Sequence, residues 1–262
     1  MKIWYQTFSA SAAVEPRWTS YEEGCKRYIP GVARPGTQIH ITGTDKRGPK
    51  MIFSKYVKYM HIGQVIENAV QAEREGYDAF VLGGMFDLGW DELREAVDIP
   101  VIGIAQASYY TACMLARQFA VIHSDEWFVK VTRELLHKYG ISERCLPGAH
   151  LSGYNASFDL IEAFEKRPQE AIEKIKMAGR ACIAQGAELL VVDFAPTTIF
   201  LCEQGIREID GVPILDNTAA LIKMTEMAVD LRQLGLPKPR MGPQFRIGKA
   251  DVEAARRVYG FE

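Results

Sequence analysis

Polar side chains follow short apolar runs at several points of the chain, and these residues are the best suited to chemistry. His123 comes directly after the apolar run 119–122, and Asp193 comes directly after the run 189–192. Histidine titrates near neutral pH, and a carboxylate beside an apolar strand is a common acid/base group. We therefore predict that His123 and Asp193 transfer protons. The alternatives are a histidine that only forms a hydrogen bond at a strand end, and an aspartate that caps a helix or binds backbone amides.

Two other carboxylates have structural interpretations. Asp87 follows a glycine pair and is predicted to order a loop, and Asp216 is predicted to cap a helix that begins at Asn217. The glycine pair Gly83–Gly84 and the polar stretch 6–9 offer backbone amides that could hold a carboxylate or carbonyl oxygen.

Short apolar runs alternate with amphipathic helices, and these elements must position the candidate residues. The predicted strands cover residues 1–8, 37–42, 79–82, 100–104 and 119–122, and the predicted helices cover 61–75, 91–97, 106–117 and 126–139. This alternation is typical of a mainly parallel sheet that is covered by helices on both faces. Ligands bind such sheets outside the carboxyl ends of the strands, where the candidate residues lie.

The chain also repeats itself. The stretch 76–84 has a counterpart at 186–194, and each copy follows an Ala-rich helix and precedes a second apolar run, at 98–102 and at 211–215. The repeat predicts an α/β fold of two pseudo-symmetric lobes, each a mainly parallel sheet flanked by helices, with the active site in the cleft between them. Lobe 1 is predicted to comprise residues 1–105 and 217–262, and lobe 2 residues 106–216.

The composition narrows the function classes. With 262 residues, a net charge of −2 and no Lys/Arg block, the chain is not predicted to bind nucleic acid or an anionic membrane. The five cysteines are scattered, no histidine cluster has metal-ligand spacing, and no glycine-rich nucleotide motif is present, so neither a metal nor a cofactor is predicted. We expect a cytoplasmic homo-oligomer that acts on a small molecule.

The order of these motifs resembles a known family. The segments 76–87, 99–104 and 119–122 are similar to hydantoin racemases, and 186–192 followed by 211–216 is similar to the second half of the same family. The resemblance runs from the first strand to about Leu231. It points to the aspartate/glutamate/hydantoin racemase superfamily, and within it to the hydantoin racemase and arylmalonate decarboxylase branches.

The resemblance implies a two-sided site that this chain alters. Racemases of the family use two cysteines, one at a strand end of each half, and the matching positions here are Gly84 and Phe194. The decarboxylase branch has glycine at the first position and keeps the second cysteine. Two-thiol racemisation and single-thiol decarboxylation are therefore both disfavoured.

The expected function is that of a cofactor-independent, isomerase-type enzyme that acts on a small carboxylate or cyclic amide by acid/base chemistry without thiols. A lyase, a hydrolase and a non-catalytic metabolite-binding protein are the alternatives. The expected substrate-binding residues lie in the strand-end loops and the nearby aromatic cluster: Gln6, Gly83, Gly84, Met85, Ser124, Trp127, Phe194 and Thr197.

Overall fold

The computed structural model describes residues 1–46, 48, 54–154, 157–239 and 248–261. In the first half of the chain, strands alternate with helices as the sequence predicts. The elements are β1 (Lys2–Ala10), α1 (Thr19–Val32), β2 (Gln38–Thr44), α2 (Lys55–Arg74), β3 (Ala79–Leu82), α3 (Trp90–Ala96), β4 (Val101–Gly103) and α4 (Ile104–Leu115). A short 3₁₀ turn, Pro16–Trp18, leads into α1.

The second half follows a similar plan. Its elements are β5 (Phe119–His123), α5 (Glu126–Lys138), β6 (Ala149–His150), α6 (Ser157–Lys166), α7 (Pro168–Ala184), β7 (Leu189–Val192), α8 (Ala195–Glu203), β8 (Glu208–Ile209), β9 (Val212–Pro213), α9 (Asn217–Gln233) and α10 (Lys249–Val258). A 3₁₀ turn, Ser142–Arg144, lies between α5 and β6. None of the helices in the described ranges is both long enough and apolar enough to cross a membrane.

The two main sheets share the order of three strands, and the first sheet has a fourth. The first runs β2-β1-β3-β4 and the second runs β6-β5-β7, and all neighbouring strands in both are parallel. The strand that opens each half therefore lies at the centre of its sheet, beside the strand that carries the sequence repeat. The predicted α/β class and its two-lobed plan are confirmed, whereas the lobe boundaries stay a prediction.

Strand alternation explains how the sheets pack. In β7, Leu189 and Val191 face a core that both sheets share, whereas Leu190 and Val192 face a core that belongs to the second sheet alone. In β3, Val81 likewise faces the shared core. Side chains of successive residues point to opposite faces of a strand, so each sheet contributes one face to the centre of the molecule.

The repeat is imperfect at its last strand. Residues 211–215 were expected to mirror β4, but β9 instead pairs with β8 in an antiparallel hairpin, and one parallel bridge joins Ile214 to Leu190. The hairpin turn is Asp210–Gly211, with φ angles of 48° and 83°. Two consecutive residues with positive φ form the tight turn that favours a two-residue hairpin, and Asp-Gly is among the preferred pairs there.

Candidate active site

A small cavity of about 50 Å³ lies where the carboxyl ends of β1, β3 and β7 meet. One wall comes from the first sheet, a second wall comes from the second sheet and α5, and the 3₁₀ turn and α1 add two aromatic side chains. The lining residues are Phe8, Ser9, Gly83, Gly84, Met85 and Phe86 on the first wall, Phe128, Asp193, Phe194, Ala195 and Pro196 on the second, and Trp18 and Tyr21 from the turn and α1. The cavity thus lies between the two halves.

The glycine pair is required by close packing against β1. A Cβ atom on Gly83 would lie 2.5 Å from the ring of Tyr5, and one on Gly84 would lie 2.3 Å from Cβ of Phe8. Both distances are too short for any side chain at these positions. Tyr5 therefore packs directly against Gly83, and Phe8 packs directly against Gly84. The amide of Gly83 donates to the carbonyl of Gln6, at 2.8 Å. Among the described residues, the amides of Gly84 and Met85 meet no acceptor.

Asp193 brings a carboxylate to the second wall. It follows β7 and precedes α8, and only 2% of its surface is exposed. Its Oδ1 accepts a hydrogen bond from the amide of Ser124 at 2.8 Å, and its Oδ2 lies 3.0 Å from Nδ1 of His123. A carboxylate oxygen can accept more than one hydrogen bond, so these two contacts leave Asp193 able to accept a further hydrogen bond or a proton.

His123 contacts the carboxylate of Asp193 but does not line the cavity. It ends β5, it is 2% exposed, and a Cβ atom on Gly148 would lie 3.2 Å from its Nε2. The imidazole is therefore packed against the loop before β6. With a carboxylate at Nδ1, this geometry suits a residue that orients Asp193.

The phenols near the cavity stay neutral. Tyr21 and Tyr5 are buried, and desolvation raises the pKa of each phenol well above its ordinary value. A neutral phenol can donate a hydrogen bond but cannot act as a base near neutral pH. Among the described lining residues, this leaves Asp193 as the group able to accept a proton.

The structure brings some of the predicted site residues together and separates others. Gly83, Gly84, Met85, Asp193 and Phe194 line the cavity. The remaining predicted residues do not: Gln6, His123, Ser124, Trp127 and Thr197.

Gln6, Ser124 and Trp127 make other contacts instead. The Oε1 atom of Gln6 accepts from Asn68 at 2.8 Å and from Trp4 at 3.3 Å, on the outer face of the first sheet. Ser124 contributes its backbone amide to Asp193. The ring of Trp127 packs against Phe86, with centroids 5.7 Å apart.

Asp87 and Asp216 act as caps. The carboxylate of Asp87 accepts from the amides of Ala105 and Gln106, at 3.0 and 2.7 Å, and from the hydroxyl of Tyr139 at 2.6 Å. Burial raises the pKa of Asp87 to about 6. Asp216 accepts from the amide of Ala219 at 2.9 Å at the start of α9. Both residues therefore have the structural roles that the sequence suggests.

Eight of the described lining residues were not among the predicted site residues: Phe8, Ser9, Trp18, Tyr21, Phe86, Phe128, Ala195 and Pro196. Trp18 and Tyr21 lie in a segment for which the sequence predicts no element, yet it forms a 3₁₀ turn and α1, with Pro30 in the last turn of the helix. The spacing of Tyr21, Cys25 and Ile29, four residues apart and all buried, is the helical signal that could have revealed it.

The site offers a proton acceptor, backbone amides and an apolar lining. Within the described ranges, no group of three or more His, Cys, Asp or Glu side chains could hold a metal ion. The fold and the site together define a two-lobed α/β protein with a small buried site at the strand ends between its halves.

Comparison with known proteins places this architecture in a family. The family model described as "Asp/Glu/Hydantoin racemase" matches residues 19–225, and the chain belongs to this family. It is 32% identical over 210 residues to a hydantoin racemase of Pseudomonas sp. (strain NS671), which covers 80% of this chain and 81% of that protein.

Solved structures agree with the assignment. An allantoin racemase from Klebsiella pneumoniae is similar with a TM-score of 0.72 at 25% identity, covering 96% of this chain and 98% of that one. The unliganded arylmalonate decarboxylase has a TM-score of 0.50 at 16% identity, covering 92% and 96%, and shares the fold alone. That Gly84 and Phe194 replace the family thiols stays a prediction.

Proposed function

We propose that this chain is an enzyme that removes and returns a proton at a carbon next to a carbonyl group, on a small carboxylate or cyclic amide. Asp193 acts as the acid/base, and His123 orients it. The observation that carries the proposal is Asp193, which lines a cavity between the halves and whose carboxylate is held by Ser124 and His123. General acid/base catalysis of this kind contributes roughly 10²–10⁴ in rate.

Removal of the proton leaves negative charge on the carbonyl oxygen of the substrate, and backbone amides of the chain are available to stabilise it. The amides of Gly84 and Met85 lie in the first wall, and the amino end of α8 lies in the second. Amides and a helix amino end stabilise an oxygen that gains negative charge. The reaction then needs only groups that belong to the chain.

The size of the cavity limits the substrate. At about 50 Å³ it has roughly a third of the volume of a cavity of about 150 Å³ that holds benzene. A hydantoin that carries a substituent is larger than benzene, so it enters only if lining side chains such as the half-buried Phe194 turn aside, and the smallest substituents require the least movement.

Deuterium exchange tests the proposal directly. Small hydantoins, allantoin and 2-substituted carboxylates are incubated with the protein in D₂O, and loss of the C–H signal is followed by NMR. Racemisation, CO₂ release and ring opening are measured in parallel, because they separate an isomerase from a lyase and a hydrolase.

The matched variants are Asp193→Asn and Asp210→Asn. The first removes the acid/base and is expected to slow exchange at least about 100-fold. The second makes the same chemical change in an exposed hairpin turn with positive φ, which Asn tolerates. Equal exchange rates in wild type and Asp193→Asn would contradict the proposal.

A binding protein without turnover is the second candidate. The apolar, aromatic character of most lining residues favours it, because such a surface holds a ligand without reacting. A compound that raises Tm but shows no exchange, decarboxylation or hydrolysis would support this alternative.

A further inference from the structure

The first wall of the cavity is closed by an aromatic side chain. A Cβ atom on Gly84 would lie 2.3 Å from Cβ and 2.9 Å from Cγ of Phe8, so the phenyl group occupies the space beside this glycine. Phe8 is held there by edge-on contacts with Phe86 and His61, with ring centroids 5.4 and 5.1 Å apart. Its position is therefore fixed from several sides.

No proton-transfer group faces the cavity from this wall among the described residues. The wall consists of Phe8, Ser9, Met85, Phe86 and the glycine pair. The hydroxyl of Ser9 donates to Oγ1 of Thr7, at 3.2 Å. A serine hydroxyl without a neighbouring base is a weak acid and a weaker base. Asp193 belongs to the second wall, which comes from the other sheet.

We infer that proton transfer in this site is confined to one face of the substrate, the face toward Asp193, because Phe8 closes the other. This inference rests on the proposed function. The carboxylate of Asp193 removes the proton, and the electron pair of the C–H bond moves to the carbonyl oxygen. The carboxyl group of Asp193 then exchanges its hydrogen with solvent, and a solvent-derived proton returns from Asp193 to the same face while the electron pair moves back from the oxygen to the carbon. The carbon therefore exchanges its hydrogen with solvent and keeps its configuration.

The two enantiomers of 5-methylhydantoin test the inference in D₂O. One presents its C–H bond to Asp193 and exchanges with retention, measured by NMR and chiral chromatography against a blank without enzyme. Its mirror image presents that bond to Phe8 and exchanges at least about 100-fold more slowly. Inversion as fast as exchange would overturn the inference and leave the proposed function intact. No exchange with either enantiomer would instead contradict the proposed function.

A double variant opens the closed face. Phe8→Ala makes room and Gly84→Cys adds a thiol there, so the pair gains a second proton donor opposite Asp193. We expect inversion to become at least tenfold faster in Phe8→Ala/Gly84→Cys than in Phe8→Ala alone. An unchanged inversion rate in a folded double variant that still exchanges would count against the closed face.

A stability cycle tests the packing without any substrate. Gly84→Ala and Phe8→Ala each lower Tm by roughly 4–8 °C, the first through a clash and the second through lost burial. The double variant relieves the clash, so its Tm falls by no more than the larger single loss. Additive losses would show that Phe8 does not fill the space beside Gly84.

Discussion

Asp87 and Asp193 are two buried carboxylates that follow corresponding strands of the two halves, yet their surroundings differ. Asp87 gives its oxygens to two amides of α4 and to the hydroxyl of Tyr139, and it lies outside the cavity. Asp193 accepts from one amide, faces one histidine and lines the cavity. Both carboxylates are almost equally buried, so the number of fixed donors around each, more than its burial, distinguishes Asp87 from Asp193, for which we propose an acid/base role.

The largest expected difference is in stability. Asp87→Ala leaves three buried donors without their acceptor and is expected to lower the free energy of unfolding by about 3 kcal/mol. Asp193→Ala leaves one amide and one imidazole without their partner, so the free energy of unfolding is expected to fall by about 1–2 kcal/mol. Urea unfolding of both variants measures the difference. Equal losses of unfolding free energy in the two variants would show that the number of bound donors does not distinguish Asp87 from Asp193.

The second expected effect is a pH dependence of the free energy of unfolding that comes from Asp87. Burial raises the pKa of Asp87 to about 6, from an ordinary value of 3.8, so between these pH values the folded state holds a proton that the unfolded state has released. The free energy of unfolding therefore falls as pH rises from about 4 to 6, by about 2–3 kcal/mol from this group.

Asp87→Asn cannot titrate and serves as the reference. The difference between the unfolding free energies of wild type and Asp87→Asn, measured from pH 4 to 7, isolates the contribution of this carboxyl. A difference that stays flat over this range would show that the charge of Asp87 costs nothing to bury.

The smallest effect is expected from the partner of Asp193. His123→Asn removes the imidazole from Oδ2, and we expect kcat for exchange to fall about tenfold with KM little changed. His137→Asn, on the exposed surface of α5, is the control. A kcat equal to that of wild type would assign His123 a purely structural role.

Local patterns predicted most of the strands. The runs at 79–82 and 189–192 coincide with β3 and β7, and Asp125 caps α5 through the amide of Trp127, as its position before the helix suggests. These features depend on neighbours in the chain. The hairpin at Asp210–Gly211 was not predicted, because the similarity between the halves suggested a strand that mirrors β4. The two-residue turn instead pairs β9 with β8.

The site was harder to predict because it depends on contacts between distant segments. The loops after β3 and β7 line the cavity, as expected. Gln6 instead points to the outer face of the first sheet, because side chains on β1 alternate and Tyr5 points to the inner face. The fit of Phe8 against Gly84 joins residues far apart in the chain. No spacing rule within one segment reveals such a pair. The expected homo-oligomer stays a prediction.

The core that both sheets share constrains how any molecule could enter. Side chains such as Phe119 and Val191 from one sheet and Ile3 from the other are fully buried in it. A hinge that swung the halves apart would wet this surface, at about 25 cal/mol for each Å² exposed. Admission must instead depend on small local rearrangements at the rim, so the rate of entry should respond to the bulk of single aromatic residues there and little to the length of the connecting segments.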